Sequence, residues 1–469
     1  MKWALDFGYL FAAFLFIVGL KRMSSPVTAR KANWLSAIGM LIAIATTLVD
    51  PAVKPGYLPV VFGGIVVGSL LGIWLAKITK ITSMPQMVAL LNGLGGGASC
   101  LVAAGELVHR LGNGQEVPPE VGAAVYLSSL VGGVTLSGSL VAFAKLQELM
   151  TGKPISYPFQ KTGNLLIAIL VLSLGIYLTA SPGHLALFAL LNLASLALGV
   201  LLVIPIGGAD MPVVISLLNS YSGIAAAFTG FVINNKCLVI TGALVGASGI
   251  ILTQIMCKGM NRSIWNVLFG ALGKASAPTA MPGQESLSDQ TCRQVSPEDA
   301  AMMLSCARQV VFVPGYGLAV AQAQHEVREL SDHLQKLGIQ VKFAIHPVAG
   351  RMPGHMNVLL AEANVPYPQL LDMDQINPEF ERADVSVVIG ANDVVNPAAR
   401  NTPSSPIYGM PILDVDKSQN VIVLKRGMNP GFAGIENELF YSPRTQMLFG
   451  DAKASLRALL QELKTLQPA

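Results

Sequence analysis

Long apolar stretches dominate the first 260 residues of the chain, and short polar or turn-forming segments separate them. Each stretch holds about 20 residues, the length that a helix needs to cross the hydrocarbon core of a bilayer. The pattern predicts nine membrane-spanning helices. Their approximate ranges are 4–20, 33–50, 57–76, 84–106, 122–144, 163–180, 184–206, 211–234 and 238–257.

The last third of the chain alternates between short apolar runs and longer amphipathic runs. Strands are predicted at 309–313, 340–345, 385–390 and 421–425, and helices at 317–337, 356–363 and 451–463. Strands that alternate with helices are typical of a doubly wound parallel sheet. We therefore expect a transmembrane domain over 1–258, a Ser- and Pro-rich linker over 259–300, and a Rossmann-like α/β domain over 301–469.

Composition supports this division. Charged residues make up only 12% of the chain, against roughly 25% in ordinary soluble domains. Residues 1–258 hold 21 of the 58 charged residues, and residues 259–469 hold 37. These figures exclude a wholly soluble enzyme. The net charge of +4 forms no basic stripe, so nucleic-acid binding is not expected.

The distribution of Lys and Arg predicts the orientation in the membrane. Eleven of them lie in one set of predicted loops and four in the other. Because cytoplasmic loops carry the excess of basic residues, the N-terminus is predicted outside and the C-terminal domain in the cytoplasm. Five widely spaced cysteines without a CxxC pair argue against a zinc site or a disulfide framework.

Several polar residues fall within the predicted spans, where such groups are costly and often functional. Asp210 begins the eighth span, which also carries Asn219 and Ser222, and Asn92 lies in the fourth. Asp210 could instead cap the helix N-terminus, and the two asparagines could form interhelical hydrogen bonds. Since no histidine lies in the middle of a span, a proton path would use hydroxyls, amides, water and Asp210.

Glycines recur in the spans and are expected to allow close helix packing. They include Gly64, Gly68, Gly72, Gly93, Gly95, Gly96, Gly97, Gly132, Gly133 and Gly138.

A glycine turn follows the first predicted strand. Gly315 and Gly317 permit a tight turn and a close approach of the backbone to a pyrophosphate, as in dinucleotide-binding folds. Val320 takes the place of the third glycine and is expected to loosen the packing of the helix on the sheet. A Gly-rich turn without function is the alternative.

Charges at the strand ends indicate which nucleotide would bind. The second strand is followed by Arg351 and by no carboxylate, which favours a 2′-phosphate over a free ribose hydroxyl. Lys425 and Arg426 follow another strand, although they could be a solvated pair, and Gly390 to Asp393 end a third. His325 and His333 lie on a charged helix face without a zinc motif, so no metal is expected.

Six segments resemble the beta subunit of the proton-translocating nicotinamide nucleotide transhydrogenases, and the resemblance covers essentially the whole chain. They are VPGYGLAVAQAQ (313–324), HPVAGRMPGH (346–355), IGANDVVNP (389–397), Lys425-Arg426, ADMPVVISLLNSYS (209–222) and MCKGMNRS (256–263).

The resemblance implies a Re/Si-specific transhydrogenase in a bacterial inner membrane. This chain would bind NADP(H) in its cytoplasmic domain and form most of the proton channel. A separate alpha subunit would bind NAD(H), and two alpha-beta units would associate. Hydride would pass from NADH to NADP, coupled to inward proton movement.

The resemblance also implies roles for individual residues. The implied nucleotide-binding residues are Gly315, Tyr316, Gly317, Leu318, Ala319, Val320, His346, Val348, Ala349, Gly350, Arg351, Gly390, Ala391, Asn392, Asp393, Lys425, Arg426 and Phe432. The implied channel or coupling residues are Asn92, Asp210, Asn219, Ser222, Arg262 and Asp393.

The chain departs from many members of that family at two of these positions. Asn92 stands where a histidine is common, and Phe432 stands where a tyrosine is common. We therefore hypothesise that the titrating histidine lies on a helix of the partner subunit with Asn92 as its hydrogen-bonding neighbour, and that Phe432 covers the cofactor.

Two other classes of protein would share these features. One is a membrane transporter or channel that NADP(H) regulates without being consumed. The other is a membrane dehydrogenase for a small carbonyl substrate, which would need an acid such as a Tyr and Lys pair, and the sequence offers none in a suitable place.

Overall fold

The computed structural model describes the chain except for residues 1, 24, 52, 54, 81, 82, 152, 153, 261, 262, 270–291, 353, 406, 432, 433 and 467–469. Within the described part, nine helices are long and apolar enough to span a membrane, which confirms the predicted number. They are α1 (Lys2–Met23), α2 (Pro26–Val49), α3 (Leu58–Ile78), α4 (Met84–Gly112), α5 (Pro119–Leu146), α6 (Gln160–Ala180), α7 (Leu185–Val203), α8 (Met211–Val232) and α9 (Lys236–Gly259).

The chain divides into two compact units, which we describe separately. The first contains the helices up to residue 254, and the second contains the whole sheet. In the first unit, helices α4, α5, α7 and α8 form a closely packed group.

Glycines bring these helices together as expected. A Cβ atom on Gly96 of α4 would lie 2.8 Å from the carbonyl oxygen of Gly132 on α5, and one on Gly133 would lie 3.1 Å from Ser195 Cβ on α7. Lipid supplies no hydrophobic drive between helices, so van der Waals contact between closely approaching backbones takes its place.

The glycines of α3 behave differently. Around Gly64, Gly68 and Gly72, no described atom lies within 4 Å of the Cβ position. Within the described part of the chain these three residues pack against no other helix, since α3 buries none of its described residues, and close helix packing at these positions stays a prediction.

The second unit is built on one sheet of six parallel strands, in the order β3-β2-β1-β4-β5-β6. The strands are β1 (Gln309–Pro314), β2 (Gln340–Ile345), β3 (Leu370–Asp372), β4 (Val385–Ile389), β5 (Asn420–Lys425) and β6 (Thr445–Phe449). This is the strand order of the dinucleotide-binding doubly wound fold, which confirms the predicted fold class.

The helices after the spans are short. They are α10 (Ile264–Phe269), α11 (Pro297–Ser305), α12 (Tyr316–Ala321), α13 (Gln324–Lys336), α14 (His355–Glu362), α15 (Met373–Ile376), α16 (Ala398–Asn401) and α17 (Ala452–Thr465). The single helix predicted over 317–337 is wrong, since Gln322 adopts the left-handed conformation (φ 50°) and separates α12 from α13.

The core of the sheet explains why its strands were visible as apolar runs. Every residue of β1 and of β4 is buried, as expected for parallel strands that are covered on both faces. Phe312 of β1 and Phe343 of β2 stack with their ring centroids 5.3 Å apart. Strands β3 and β6 lie at the edges of the sheet and are partly exposed. Their apolar pattern is weaker, and they were not predicted as strands.

Candidate functional site

The segments that are predicted to bind the nucleotide all begin at the same edge of the sheet. In the parallel register, Pro314 of β1 lies beside Ile389 of β4, and Ile389 lies beside Leu424 of β5. Strand β2 runs parallel to β1 on its other side. The segments that follow these four strands therefore emerge together, at the edge where open parallel sheets bind ligands.

The segments after β1 and β4 are in direct backbone contact. The amide of Gly315 donates to the carbonyl of Ile389 at 2.9 Å, and the amide of Gly317 donates to that of Gly390 at 3.0 Å. A Cβ atom on Gly317 would lie 2.7 Å from Gly390 Cα, and one on Gly315 would overlap the backbone of Ala391. Glycine is therefore required at both positions, because the segment after β4 passes too close to leave room for a side chain. Carbonyl groups of that segment also accept hydrogen bonds from both glycine amides.

Helix α12 begins directly after this contact. Leu318 and Ala319 are fully buried, whereas Val320 is 48% exposed. Because Val320 lies on the exposed side of the helix, the expectation that it loosens the packing of the helix on the sheet is wrong.

A buried histidine anchors the start of the segment after β2. His346 is 2% exposed; its Nε2 donates to the carbonyl of Pro411 at 2.9 Å, and its Nδ1 accepts from the amide of Val348 at 3.3 Å. Burial lowers the pKa of His346 to about 4. The imidazole is therefore neutral near pH 7 and can accept that amide hydrogen bond.

A second buried histidine fixes Arg351. His355 Nδ1 accepts from the Arg351 amide at 3.0 Å, and a side chain on Gly350 (φ 108°) would overlap the imidazole. Burial and the charge of Arg351 lower the pKa of His355 to about 4. The Arg351 guanidinium lies 4.7 Å from the centre of the Tyr316 ring, a cation–π contact between the segments after β2 and β1.

Lys425 and Arg426 at the end of β5 have different environments. Lys425 Nζ donates to the carbonyl of Asn429 and lies 5.0 Å from the centre of the Phe440 ring. Burial lowers the pKa of Lys425, and the nearby charge of Asp393 acts in the opposite direction. Arg426 is mostly exposed and pairs with Asp451 at 2.8 Å.

The segment after β4 is held by an asparagine that the sequence did not single out. Asn437 is 2% exposed and donates to both the carbonyl oxygen and the side-chain oxygen of Asn392, each at 3.0 Å. Asp393 starts a short 3-10 turn and lies against Gly431. Phe432 lies outside the described residues.

The candidate residues of the membrane unit lie on α4 and α8. Asn92 Nδ2 donates to the carbonyl of Ile215 on α8 at 3.2 Å, so the interhelical hydrogen bond considered for it is present. Asn219 is half-buried on α8. Ser222 faces α4, because a Cβ atom on Gly95 would lie 2.6 Å from its hydroxyl.

Asp210 occupies the N-cap position of α8, at the end of the 3-10 turn Gly208–Asp210. Its side chain accepts no hydrogen bond from the first amides of the helix. The interpretation of Asp210 as a side-chain cap is therefore wrong. Arg262, the other predicted charged residue of this group, lies outside the described residues.

These features define a class: a polytopic helical membrane protein whose chain continues into a dinucleotide-type parallel sheet with glycine turns and cationic side chains at its carboxyl edge. Residues 5–462 match the family model described as NAD(P) transhydrogenase beta subunit. The chain is also 51% identical over 459 residues to NAD(P) transhydrogenase subunit beta of Rhodospirillum rubrum, covering 97% of this chain and 98% of that one. The same figures hold for the protein from a specified strain of that species. The chain belongs to the NAD(P) transhydrogenase beta subunit family.

Membership of this family implies transhydrogenase activity, the use of nicotinamide nucleotides and an alpha subunit as partner. The nine apolar helices make the protein a multi-pass membrane protein.

Proposed function

We propose that this subunit binds NADP(H) at the carboxyl edge of its sheet and exchanges hydride with NAD(H) bound to an alpha subunit, coupled to inward proton translocation that favours NADPH. The observation that carries the proposal is the convergence of four segments, after β1, β2, β4 and β5, at one sheet edge. In an open α/β sheet, that edge is where nucleotides bind.

The side chains at this edge fit a phosphorylated nucleotide. Arg351 provides a cationic group after β2, and Lys425 provides one at the end of β5. Arg426 provides a third, which forms an ion pair with Asp451. We assign the 2′-phosphate to Lys425 and Arg426, since phosphate oxygens accept charge-assisted hydrogen bonds from both side chains.

The remaining residues of the segments are assigned to holding the nucleotide. Gly315 to Val320 form the turn after β1, Val348 to Arg351 the segment after β2, and Gly390 to Asp393 the segment after β4. The bound nicotinamide would supply the hydride chemistry, while the chain orients it and excludes water. His346 contributes by fixing Val348 rather than by acting as an acid or base.

The membrane unit is assigned to proton movement. Asp210, Asn92, Asn219 and Ser222 are its proposed path residues, and Arg262 and Asp393 are proposed to couple it to the nucleotide. Coupling is then a linkage, in which protonation in the membrane changes the affinity for NADP(H), and the reverse. We propose a domain division at residues 258 and 300, an inner-membrane location with a cytoplasmic C-terminal domain, and an assembly of two alpha and two beta subunits.

The decisive experiment uses vesicles that contain both subunits and a pH-sensitive dye. NADPH should reduce an NAD analogue with simultaneous proton movement, and both signals should require the alpha subunit. Proton or solute flux that NADP(H) alters without any hydride transfer would instead support a regulated transporter, and hydride transfer without a dye response would refute the coupling.

A further inference from the structure

A lysine lies buried in the last turn of α5. Lys145 is 3% exposed, and its Nζ donates to the backbone carbonyls of Ile204, at 2.5 Å, and Ile206, at 2.8 Å. A buried ammonium group is costly unless hydrogen bonds replace its hydration. The two carbonyls provide such bonds, so the position of the ammonium group and that of the carbonyls depend on each other.

The carbonyls that Lys145 binds follow the end of another helix. Helix α7 ends at Val203, and residues 204–210 connect it to α8. The last carbonyls of a helix have no partner within it and carry the negative end of its dipole. The carbonyls of Ile204 and Ile206 lie just beyond this helix end, so a cation bound to them is favoured by the dipole and fixes the first half of the connection.

The connection ends at Asp210, four residues after Ile206. Only a short turn lies between them, with the amide of Asp210 donating to the carbonyl of Gly207 at 3.0 Å. Ile206 and Met211, on either side of this turn, are buried. The place of the Asp210 backbone is therefore set by where Ile206 is held.

The anchor itself is held from a third helix. Gln86 of α4 is buried and donates from Nε2 to the carbonyl of Leu146, the residue after Lys145, at 3.1 Å. Helix α4 thus fixes the end of α5, and α5 fixes the end of α7. The backbone of Lys145 is therefore held in place, so that its side chain can fix the position of the connection.

We propose that Lys145 is a positioning residue for proton transfer, which holds the α7–α8 connection so that Asp210 is correctly placed. The proposal rests on the proposed function, in which Asp210 belongs to the proton path. We do not propose that Lys145 itself transfers a proton.

The test measures protons translocated per hydride transferred, in vesicles containing the full complex. Lys145→Met removes both hydrogen bonds and should lower the ratio at least fivefold, whereas Lys145→Arg, which keeps the charge and the donors, should stay within twofold of the wild type. Lys77→Met changes an exposed lysine in the last turn of α3 and should leave the ratio unchanged. A general loss of folded complex lowers both rates and leaves their ratio intact.

A wild-type ratio in Lys145→Met, or an equal loss in Lys145→Arg, overturns the proposal. If Lys145→Met does not assemble, Lys145→Gln decides by the same ratio: a lowered value supports the proposal and a wild-type value overturns it. Asp210→Asn separates the two proposals. A normal ratio in that variant removes Asp210 from the path and the positioning role with it, while a lowered ratio beside a normal Lys145→Met overturns the positioning role alone.

Discussion

In the helical unit, buried polar side chains donate to backbone carbonyls of neighbouring helices, whereas the two buried histidines of the sheet unit accept from backbone amides. Lys145 donates to Ile204 and Ile206, and Asn92 donates to Ile215. Ile204 and Ile206 lie just after α7, and Ile215 lies in the second turn of α8.

At the sheet edge, each of two histidines instead uses its Nδ1 as an acceptor. His346 accepts from Val348, and His355 accepts from Arg351, within the segment that follows β2. A chain that turns after a strand leaves amides without ladder partners, and a neutral imidazole nitrogen satisfies one of them. The comparison teaches that the residue type follows the backbone group it meets: hydrogen-bond donors meet carbonyls in the helical unit, and an acceptor that must stay uncharged meets the free amides after the strand.

The largest expected effect comes from replacing a glycine at the sheet edge, compared with the same replacement in the helical unit. Gly315→Ala places a methyl group on the backbone of Ala391, between two segments that cannot separate without losing the hydrogen bond from Gly315 to Ile389. We expect hydride transfer per assembled complex to fall at least 100-fold, roughly 3 kcal/mol. The measurement is NADP(H) binding and hydride transfer by the full complex.

Gly68→Ala on α3 is the matched control for that experiment. No described atom lies within 4 Å of its Cβ position, so the same methyl group should change stability by no more than about 0.5 kcal/mol. If Gly315→Ala binds NADP(H) as tightly as Gly68→Ala does, the contact between the β1 and β4 segments has no part in the site.

Much of the fold could be predicted because it follows from local pattern. The nine spans and four of the six strands are continuous apolar runs, and the alternation of strands with helices predicts their parallel arrangement. The break at Gln322 was missed because a left-handed residue inside an amphipathic run leaves no hydrophobic signature.

The site was predictable only where its residues stand in one short segment. The glycine turn and the cations at the strand ends were found, but their partners were not. Asn437 lies 45 residues from Asn392, and Lys145 lies 59 residues from Ile204. Such contacts depend on how distant elements pack, which no local spacing reveals. The exception is His355, which is only four residues from Arg351 and whose anchoring role only the geometry shows.

Acid should affect the sheet unit through its two buried neutral histidines, His346 and His355. The pKa of His346 is about 4 in the fold, against an ordinary value of 6.5. The unfolded chain therefore takes up a proton at a pH where the folded chain does not, and stability present above pH 6.5 is lost as the pH falls towards 4. We expect each of the two histidines to lower the stability of the sheet unit by about 2 kcal/mol between pH 7 and pH 5, measured as the urea dependence of limited proteolysis of the full-length protein.

His346→Gln should remove about 2 kcal/mol of that pH dependence and leave the contribution of His355, because the glutamine amide can donate and accept without titrating. His325→Gln, at an exposed position on α13, is the control and should leave it as in the wild type. Equal pH dependence in His346→Gln and the wild type would mean that the neutral acceptor at the β2 end contributes nothing to acid sensitivity.

Asn92 offers the smallest and most discriminating test in the helical unit. Its hydrogen bond to Ile215 joins α4 to α8, and interhelical hydrogen bonds in membranes average about 0.6 kcal/mol. If Asn92 only joins the helices, Asn92→Ala should lower thermal stability by about that amount and leave the ratio of protons to hydride unchanged. If it also hydrogen-bonds a titrating group on a partner helix, as we hypothesise, the ratio should fall by about threefold or more while stability falls no further.

Asn92→Ser, which keeps a shorter donor, separates lost packing from a lost hydrogen bond. A wild-type ratio in both variants would remove Asn92 from the proton path and leave it, like Ser220 with its hydrogen bond to Gly246, a donor to a neighbouring helix and nothing more.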